Sequence, residues 1–244
     1  MNNPATAAGV TPAPKGLLTR FIGIITSPKD TFTSIVPAPK WFGMLALTTV
    51  LVAVFSALPM TTEAGKQAGI DQQVEQRRSF GIETSDRDYA QMEKMSGVMP
   101  YITLGMVVIV SPIIAVVISG ILFAIFNAAL GGEAAFKQVF SVFVHAGAVS
   151  ALSTVFSGIV NYFRGGMGSV ANVGALLPML PERSFAANLL GTVDVFLVWY
   201  VIVLAMGLGV LYRRRTQPIA ISLFVLYAVV AVVIAVIKSR AGGA

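Results

Sequence analysis

The chain has 244 residues, of which 56% are hydrophobic and only 11% are charged, and its mean hydropathy is +0.80. Soluble domains carry about 25% charged residues, so this composition excludes a soluble globular protein and indicates an integral membrane protein. The formal charge of +6 does not indicate a nucleic-acid partner, because the basic residues flank apolar runs, where they set topology and meet anionic lipid. No cysteine is present, which excludes disulfides and thiolate metal sites.

The first 40 residues precede the first long apolar run. Residues 1–14 hold three prolines among small and polar residues, so we predict a disordered tail there. Residues 15–40 are predicted to form two short amphipathic helices in the membrane interface, the second beginning at Ser27-Pro28, where serine caps and proline suits the first turn. Lys15 and Arg20 are predicted to lie off the apolar face of the first helix. That face consists of Leu17, Leu18, Phe21, Ile22 and Ile25.

Five apolar runs are long enough to cross a bilayer, since one crossing takes about 20 residues. The predicted spans are 41–60, 100–130, 139–162, 188–212 and 218–237. Between the first two, the polar residues 62–98 are predicted to form an extramembrane helical hairpin, in which Ser85 caps the second helix. The expected fold class is an all-α integral membrane protein with five transmembrane helices, in one domain over residues 41–240.

Basic residues predict the orientation of these spans. Those next to short loops all fall on the side of the N-terminus, which should therefore be cytoplasmic, with the C-terminus on the opposite side. They are Lys15, Arg20, Lys29, Lys40, Lys137, Arg213, Arg214 and Arg215.

The fourth run contains Asp194, the only acidic residue inside any of the five. Arg213 follows 19 residues later. At 1.5 Å per residue this separation places Asp194 roughly 28 Å from the basic end, close to the opposite boundary of the hydrocarbon. An ionisable residue in a span is a functional candidate, but at this depth we expect Asp194 to fasten the fourth span to the third. Its candidate partners are Arg164, Asn161 and Tyr162.

The single histidine, His145, lies early in the third span, and Asn127 near the end of the second span is expected to face it. A lone histidine among apolar neighbours is more often a hydrogen-bonded packing residue than a proton shuttle. The chain has no His-Glu-x-x-His or Gly-x-Ser-x-Gly motif and no second acid within the spans. We therefore predict no catalytic activity, no cofactor and no metal site.

Several short motifs follow one another in a recognisable order. They are Ser27-Pro28-Lys29-Asp30-Thr31-Phe32, Gly131-Gly132 followed by Phe136-Lys137-Gln138, Asn172 with Leu176-Leu177-Pro178, and Asp194-Val195-Phe196 with Trp199 and Gly207-Leu208. Together with the five runs they resemble the Yip1 domain family of five-span membrane proteins, from about Leu17 to Lys238. The short tail and compact loops resemble its bacterial branch. His145 and Val149 depart from the pattern, since the family often has tyrosine and proline there.

The resemblance implies a membrane scaffold or adaptor with an unknown membrane or cytoplasmic protein partner, because eukaryotic members bind prenylated Rab-type GTPases in endoplasmic reticulum and Golgi traffic. A bacterial member would lie in the inner or plasma membrane. The alternative is a small transporter or channel that uses Asp194, His145 and Asn127, against which stand the few polar residues in the runs and the lack of an internal repeat. Small residues on the second and third spans, including Gly120 and Gly158, favour packing within the chain, although the same spacing would serve a homo-oligomer.

Overall fold

The computed structural model describes residues 16–129, 131–168, 170–171 and 194–241, and regular structure in these ranges is almost entirely helical. The predicted tail 1–14, the motif at 172–178 and the first residues of the predicted fourth span lie outside them. A 3-10 turn covers Leu58–Thr61, and a π-helical turn covers Ala124–Ala129. The helices are α1 (Leu17–Thr26), α2 (Pro28–Ile35), α3 (Phe42–Ala57), α4 (Glu63–Ser79), α5 (Asp86–Met95), α6 (Met99–Phe123), α7 (Phe136–Arg164), α8 (Val195–Leu211) and α9 (Thr216–Ala241).

Four described segments are long and apolar enough to cross a membrane: Phe42–Thr61, Met99–Ala128, Phe136–Arg164 and Thr216–Ile237. The protein is therefore an all-α integral membrane protein. Helix α8 is also apolar but has 17 residues, because the extended backbone of Asp194 (φ −112°, ψ 134°) makes it begin at Val195.

Helix α7 is the centre of the bundle. In an 18-residue apolar stretch of α7, 56% is buried, whereas the corresponding stretches of α6 and α9 are each 17% buried. Small residues let neighbours approach α7 closely, since a Cβ at Gly158 would overlap the carbonyl oxygen of Phe55 on α3. Gly120 on α6 differs, because a Cβ there would meet no atom within 4 Å. The close contact of α7 at Gly158 is thus made with α3.

The N-terminal helices are packed into one end of the bundle. Phe32 on α2 is fully buried, and its ring lies beside Gly207 of α8, where a Cβ would come within 2.9 Å of it. Helix α1 buries Ile24, whereas Leu18 and Ile22 are exposed. Arg20 turns inward to α7, so the prediction that it lies off the packing face is wrong.

Helices α4 and α5 follow α3 at the other end. Thr62 caps α4 by accepting a hydrogen bond from the Gly65 N–H, and Ser85 and Asp88 form a reciprocal capping box at the start of α5. The amide of Gln67 donates to the Tyr89 hydroxyl at 2.7 Å, which links the two helices. The capping box and the Gln67–Tyr89 bond are exposed to solvent, whereas the Thr62 cap is partly buried.

Candidate functional site

A polar contact at the buried His145 joins α1 to α7. His145 is fully buried, and its Nδ1 lies 2.7 Å from the backbone carbonyl oxygen of Ser141, one turn earlier. Its Nε2 lies 3.3 Å from Nη1 of Arg20, and the same Nη1 donates to the carbonyl oxygen of Lys40 at 2.8 Å. Arg20 therefore ties α1 both to α7 and to the segment that leads into α3.

These partners fix the hydrogen-bonding state of the imidazole. A carbonyl oxygen only accepts, so Nδ1 of His145 carries the proton and donates to Ser141. A guanidinium only donates, so Nε2 accepts from Arg20. His145 is consequently a neutral bridge between two groups: Nδ1 is bonded within α7, and Nε2 links α7 to α1.

Arg20 brings a positive charge to this contact, and no carboxylate among the described residues pairs with it. The one ion pair among the described residues joins Glu63 and Lys66, at the other end of the bundle. Nε of Arg20 is buried and has no hydrogen-bond partner in the described part of the chain. The carbonyl of Lys40 and the ring of His145 thus provide dipoles in place of a counter-charge.

Asn127 belongs to a second network at the same end. Its Nδ2 donates to the carbonyl oxygen of Ala134 at 2.6 Å, and its Oδ1 accepts from the Tyr212 hydroxyl at 2.7 Å. The ring of Tyr212 stacks on Phe126 with centroids 5.0 Å apart. The predicted pairing of Asn127 with His145 is therefore wrong: Asn127 fastens the α6–α7 turn to the end of α8.

Gln138 extends this network to α2. Its Oε1 accepts from the Ala135 N–H at 2.9 Å, and its Nε2 donates to the carbonyl oxygen of Val36 at 3.2 Å. A cavity of about 510 Å³ lies between these groups and the end of α8. It is lined by Val36, 131–134, Gln138 and 210–214, a set that includes Glu133, Arg213 and Arg214.

Asp194 lies at the opposite end of α8, which it caps. Its Oδ1 accepts hydrogen bonds from the backbone N–H groups of Phe196, at 2.8 Å, and Leu197, at 3.3 Å. The Val195 N–H donates to the carbonyl oxygen of Ala171 at 3.2 Å. A carboxylate here satisfies helix N–H groups that have no partner within the helix and interacts favourably with the positive end of the helix dipole. The geometry thus gives Asp194 a structural task.

The remaining predicted residues lie near this end. Asn161 donates from Nδ2 to the carbonyl oxygen of Gly168 at 2.9 Å, which closes the turn that follows α7. Arg164, the last residue of α7, is exposed. Trp199 stacks on Phe196 at 6.2 Å, and Phe196 in turn packs on Phe156 of α7 at 5.8 Å. This aromatic row joins α8 to α7.

The predicted polar residues therefore occupy separate places. His145 and Asn127 belong to different networks at the α1–α2 end, and Asp194 caps a helix at the other end. Among the residues described in 16–241, no group of three or more histidine, aspartate and glutamate side chains is arranged to hold a metal ion.

Sequence reasoning missed the roles of Arg20, Tyr212 and Gln138. Arg20 was assigned to the polar side of α1 because helical periodicity groups side chains by hydropathy, whereas a long side chain reaches over an apolar face. Gln138 carried a detectable signal, since it stands third in α7, where a glutamine can bond back to the residue that precedes the helix.

Long apolar helices with most polar side-chain contacts near their ends define an α-helical integral membrane protein. The Yip1 domain profile matches residues 22–237, and the chain therefore belongs to the Yip1 domain family. Membrane protein YknW of Bacillus subtilis (strain 168) is 24% identical over 225 residues, which cover 90% of this chain and 91% of that protein. No solved structure matches the chain. The resemblance to bacterial members is thereby confirmed.

Proposed function

We propose that this protein is a non-catalytic membrane scaffold whose partner-binding surface is the end of the bundle that carries α1 and α2. The observation that carries the proposal is the way α1 and α2 are held. Phe32 is buried against α8, Arg20 bonds to α7, and Gln138 bonds to the end of α2. A surface anchored on the core in this way is preorganised, so a partner that binds it loses little ordering free energy.

The charge of this surface indicates the chemistry of the partner. Basic side chains outnumber acidic ones there, which suits an acidic protein surface or anionic lipid at the cytoplasmic leaflet. The exposed charged residues at this end are Lys29, Asp30, Lys40, Glu133, Lys137, Arg213, Arg214 and Arg215. The proposed partner is an acidic protein segment, because a protein side chain can enter the cavity of about 510 Å³ beside these residues and bond to its polar lining.

The topology proposed with this function has α8 as the fifth crossing and the N-terminus in the cytoplasm. Helix α8 supports this arrangement because its first residues meet Ala171, beyond the end of α7, and its last residues meet the α6–α7 turn. Its short length is compatible with a crossing where flanking residues or local thinning of the bilayer compensate. A fifth crossing places the two termini on opposite sides.

Cysteine labelling tests this topology without interference, because the chain has no cysteine of its own. Ser34→Cys and Glu133→Cys should react only with reagents on the cytoplasmic side, and Gln76→Cys and Arg240→Cys only with reagents outside; all four positions are exposed. Labelling of Glu133→Cys and Arg240→Cys from the same side would contradict the fifth crossing.

Site-specific crosslinking tests the scaffold surface. A photoreactive residue at Ser34 or Glu133 should capture the same protein in native membranes, and the charge reversal Lys137→Glu with Arg213→Glu should abolish the capture. The matched control is Arg78→Glu with Arg87→Glu, two exposed basic positions at the other end of the bundle, which should leave it unchanged. Capture that survives the first reversal, or fails equally in both, would count against this surface.

A further inference from the structure

A methionine-lined cavity of about 350 Å³ lies between α4 and α5, at the ends of α3 and α6. Four of the ten methionines in the chain line it: Met60, Met92, Met95 and Met99. Met60 lies in the 3-10 turn that follows α3, Met92 and Met95 are one turn apart on α5, and Met99 begins α6. Residues three apart on a helix share a face, so thioethers from three elements line one space.

The sulfur of Met60 is held in place. The Thr103 hydroxyl donates to this Sδ at 3.5 Å, which fixes the side chain of the turn against α6. Met95, by contrast, is 39% exposed, so the cavity is accessible from the solvent. A small ion can therefore enter without separation of the helices.

Two of the three charged side chains that line the cavity, Lys66 and Asp88, have bonded partners. Nζ of Lys66 lies 2.6 Å from Oε1 of Glu63. The pKa of the Asp88 carboxyl is held below its usual range, first by the hydrogen bond from the Ser85 hydroxyl, then by that from the Ser85 N–H, with a smaller contribution from the charge of Arg77. One of the two cations of the lining, Lys66, is thus already paired with a carboxylate.

The donor set also disfavours a hard cation such as Ca²⁺. Asp88 supplies the one carboxylate of the lining, whereas Ca²⁺ takes six to eight oxygen ligands. Soft thioether ligands instead favour Cu⁺ among the metals that proteins bind. The lining also contains no histidine, since His145 is buried in α7.

We propose that this cavity is a binding site for a soft monovalent cation, Cu⁺, which the thioether sulfurs of Met92, Met95 and Met99 ligate with Met60 as the fourth donor. Methionine side chains have three rotatable bonds and adapt to an ion as they adapt to irregular packing. The site lies between α4 and α5 at the ends of α3 and α6, apart from the scaffold surface, so its test is independent of the proposed function.

The experiment uses the full-length protein in nanodiscs without oxygen and titrates Cu⁺ against a chromophoric chelator. We expect the chain to bind a single Cu⁺ ion. The substitutions Met92→Leu, Met95→Leu and Met99→Leu should each weaken the affinity by about tenfold or more, and the triple variant should bind none. Leucine keeps the apolar volume and removes only the sulfur, so circular dichroism should show unchanged helix content.

Met106→Leu is the matched control, because Met106 is 56% exposed on α6 and does not line the cavity. Its affinity for Cu⁺ should equal that of the parent protein. X-ray absorption of the loaded parent should show sulfur in the first coordination shell. The proposal is overturned if the parent does not bind Cu⁺, if the folded triple variant binds it with unchanged affinity, or if the shell contains only nitrogen and oxygen.

An apolar guest is the other use for a methionine wall, and the leucine variants separate it from the metal site. If a hydrophobic dye binds the parent and the triple variant equally and neither binds Cu⁺ measurably, the cavity is a hydrophobic ligand site and the proposal is overturned. Loss of Cu⁺ binding in the triple variant while the dye still binds would support it.

Discussion

Each end of the bundle carries a pair of helices outside the long apolar segments, and the two pairs are attached differently. At one end α1 and α2 bury Ile24, Phe32 and Ile35 and are tied to α7 through Arg20. At the other end α5 has no buried residue, and its side-chain hydrogen bond to α4, from Gln67 to Tyr89, is exposed. The first pair is part of the core, whereas in the second pair α4 buries Ile70 and α5 buries no residue.

This difference determines how each end can move. Exposed hydrogen bonds and few buried contacts make a region open locally at low free energy, whereas elements that share the core open only with the whole fold. We therefore expect α1 and α2 to unfold together with the bundle and α5 to detach before it. A rigid end suits the presentation of a fixed surface, and an adaptable end suits the closure of flexible side chains around an ion.

The largest expected effect comes from Phe32→Ala. Truncation of a fully buried phenylalanine typically destabilises by about 3–5 kcal/mol, since both transfer free energy and packing are lost. Detergent-driven unfolding should show this loss for the whole bundle, not for α2 alone. The control is Phe163→Ala at the other end, where 82% of the side chain is exposed and the stability should hardly change. A local loss of α2 with the bundle intact would show that the first pair is also peripheral.

A glycine-to-alanine comparison should change sign between the two ends. A Cβ at Gly207 would lie 2.6 Å from Cγ1 of Val142 and 2.9 Å from Cζ of Phe32, so Gly207→Ala is expected to destabilise by about 1–3 kcal/mol. A Cβ at Gly69 on α4 would meet nothing within 4 Å, so Gly69→Ala should stabilise by up to about 1 kcal/mol through helix propensity. Unfolding curves of both variants test the contrast, and equal effects would remove it.

The Arg20–His145 contact should appear as energetic coupling. Arg20→Ala and His145→Ala are expected to be non-additive by about 1–2 kcal/mol, because each removes the partner of the other. The matched cycle pairs Asn127→Ala with His145→Ala, which have no shared partner and should be additive. Coupling in the second cycle and additivity in the first would contradict the arrangement of the two networks.

The sequence predicted the class of the protein better than its polar contacts. Run lengths and composition suffice for an all-α membrane protein because the bilayer imposes them on every spanning helix. The bond of Asn127 to Tyr212 joins residues 85 positions apart, and that of Arg20 to His145 joins residues 125 positions apart. Such pairs depend on which helices pack side by side. Hydrophobic periodicity along the sequence does not predict that packing.

Asp194 shows how a depth estimate and a structural role can be separated. Counting residues predicts a position near a boundary of the hydrocarbon. The structure adds that the Asp194 carboxylate accepts hydrogen bonds from two N–H groups in the first turn of α8, which stabilises an acid at this position. Asp194→Ala should therefore lower stability by about 0.5–2 kcal/mol, while Asp194→Asn, which keeps an accepting oxygen, should have a smaller effect. Neither substitution should change the ion flux measured in liposomes. An ion flux in the parent that Asp194→Asn abolishes in a fully folded protein would favour the transporter instead.

The smallest expected effect concerns acid at the α4–α5 end. The Asp88 carboxylate accepts from the Ser85 hydroxyl at 2.8 Å and from the Ser85 N–H at 3.1 Å, and these bonds, with the nearby charge of Arg77, keep its pKa below the usual range. Because the folded state has the lower pKa, this stabilisation is complete above the unfolded value of about 3.9 and is lost as the pH falls through the folded value.

Hydrogen exchange of the Tyr89 amide measures this effect, since that N–H donates to the Ser85 carbonyl at 3.0 Å in the first turn of α5. After correction for the intrinsic rate, its protection should fall between pH 6 and about pH 3, while amides around the buried Phe32 stay protected. Asp88→Asn should show weak protection at both pH values, because an amide does not become a better acceptor when the pH rises. Protection of Tyr89 that is unchanged over this range would mean that the capping box does not hold α5, and that packing does so at both ends.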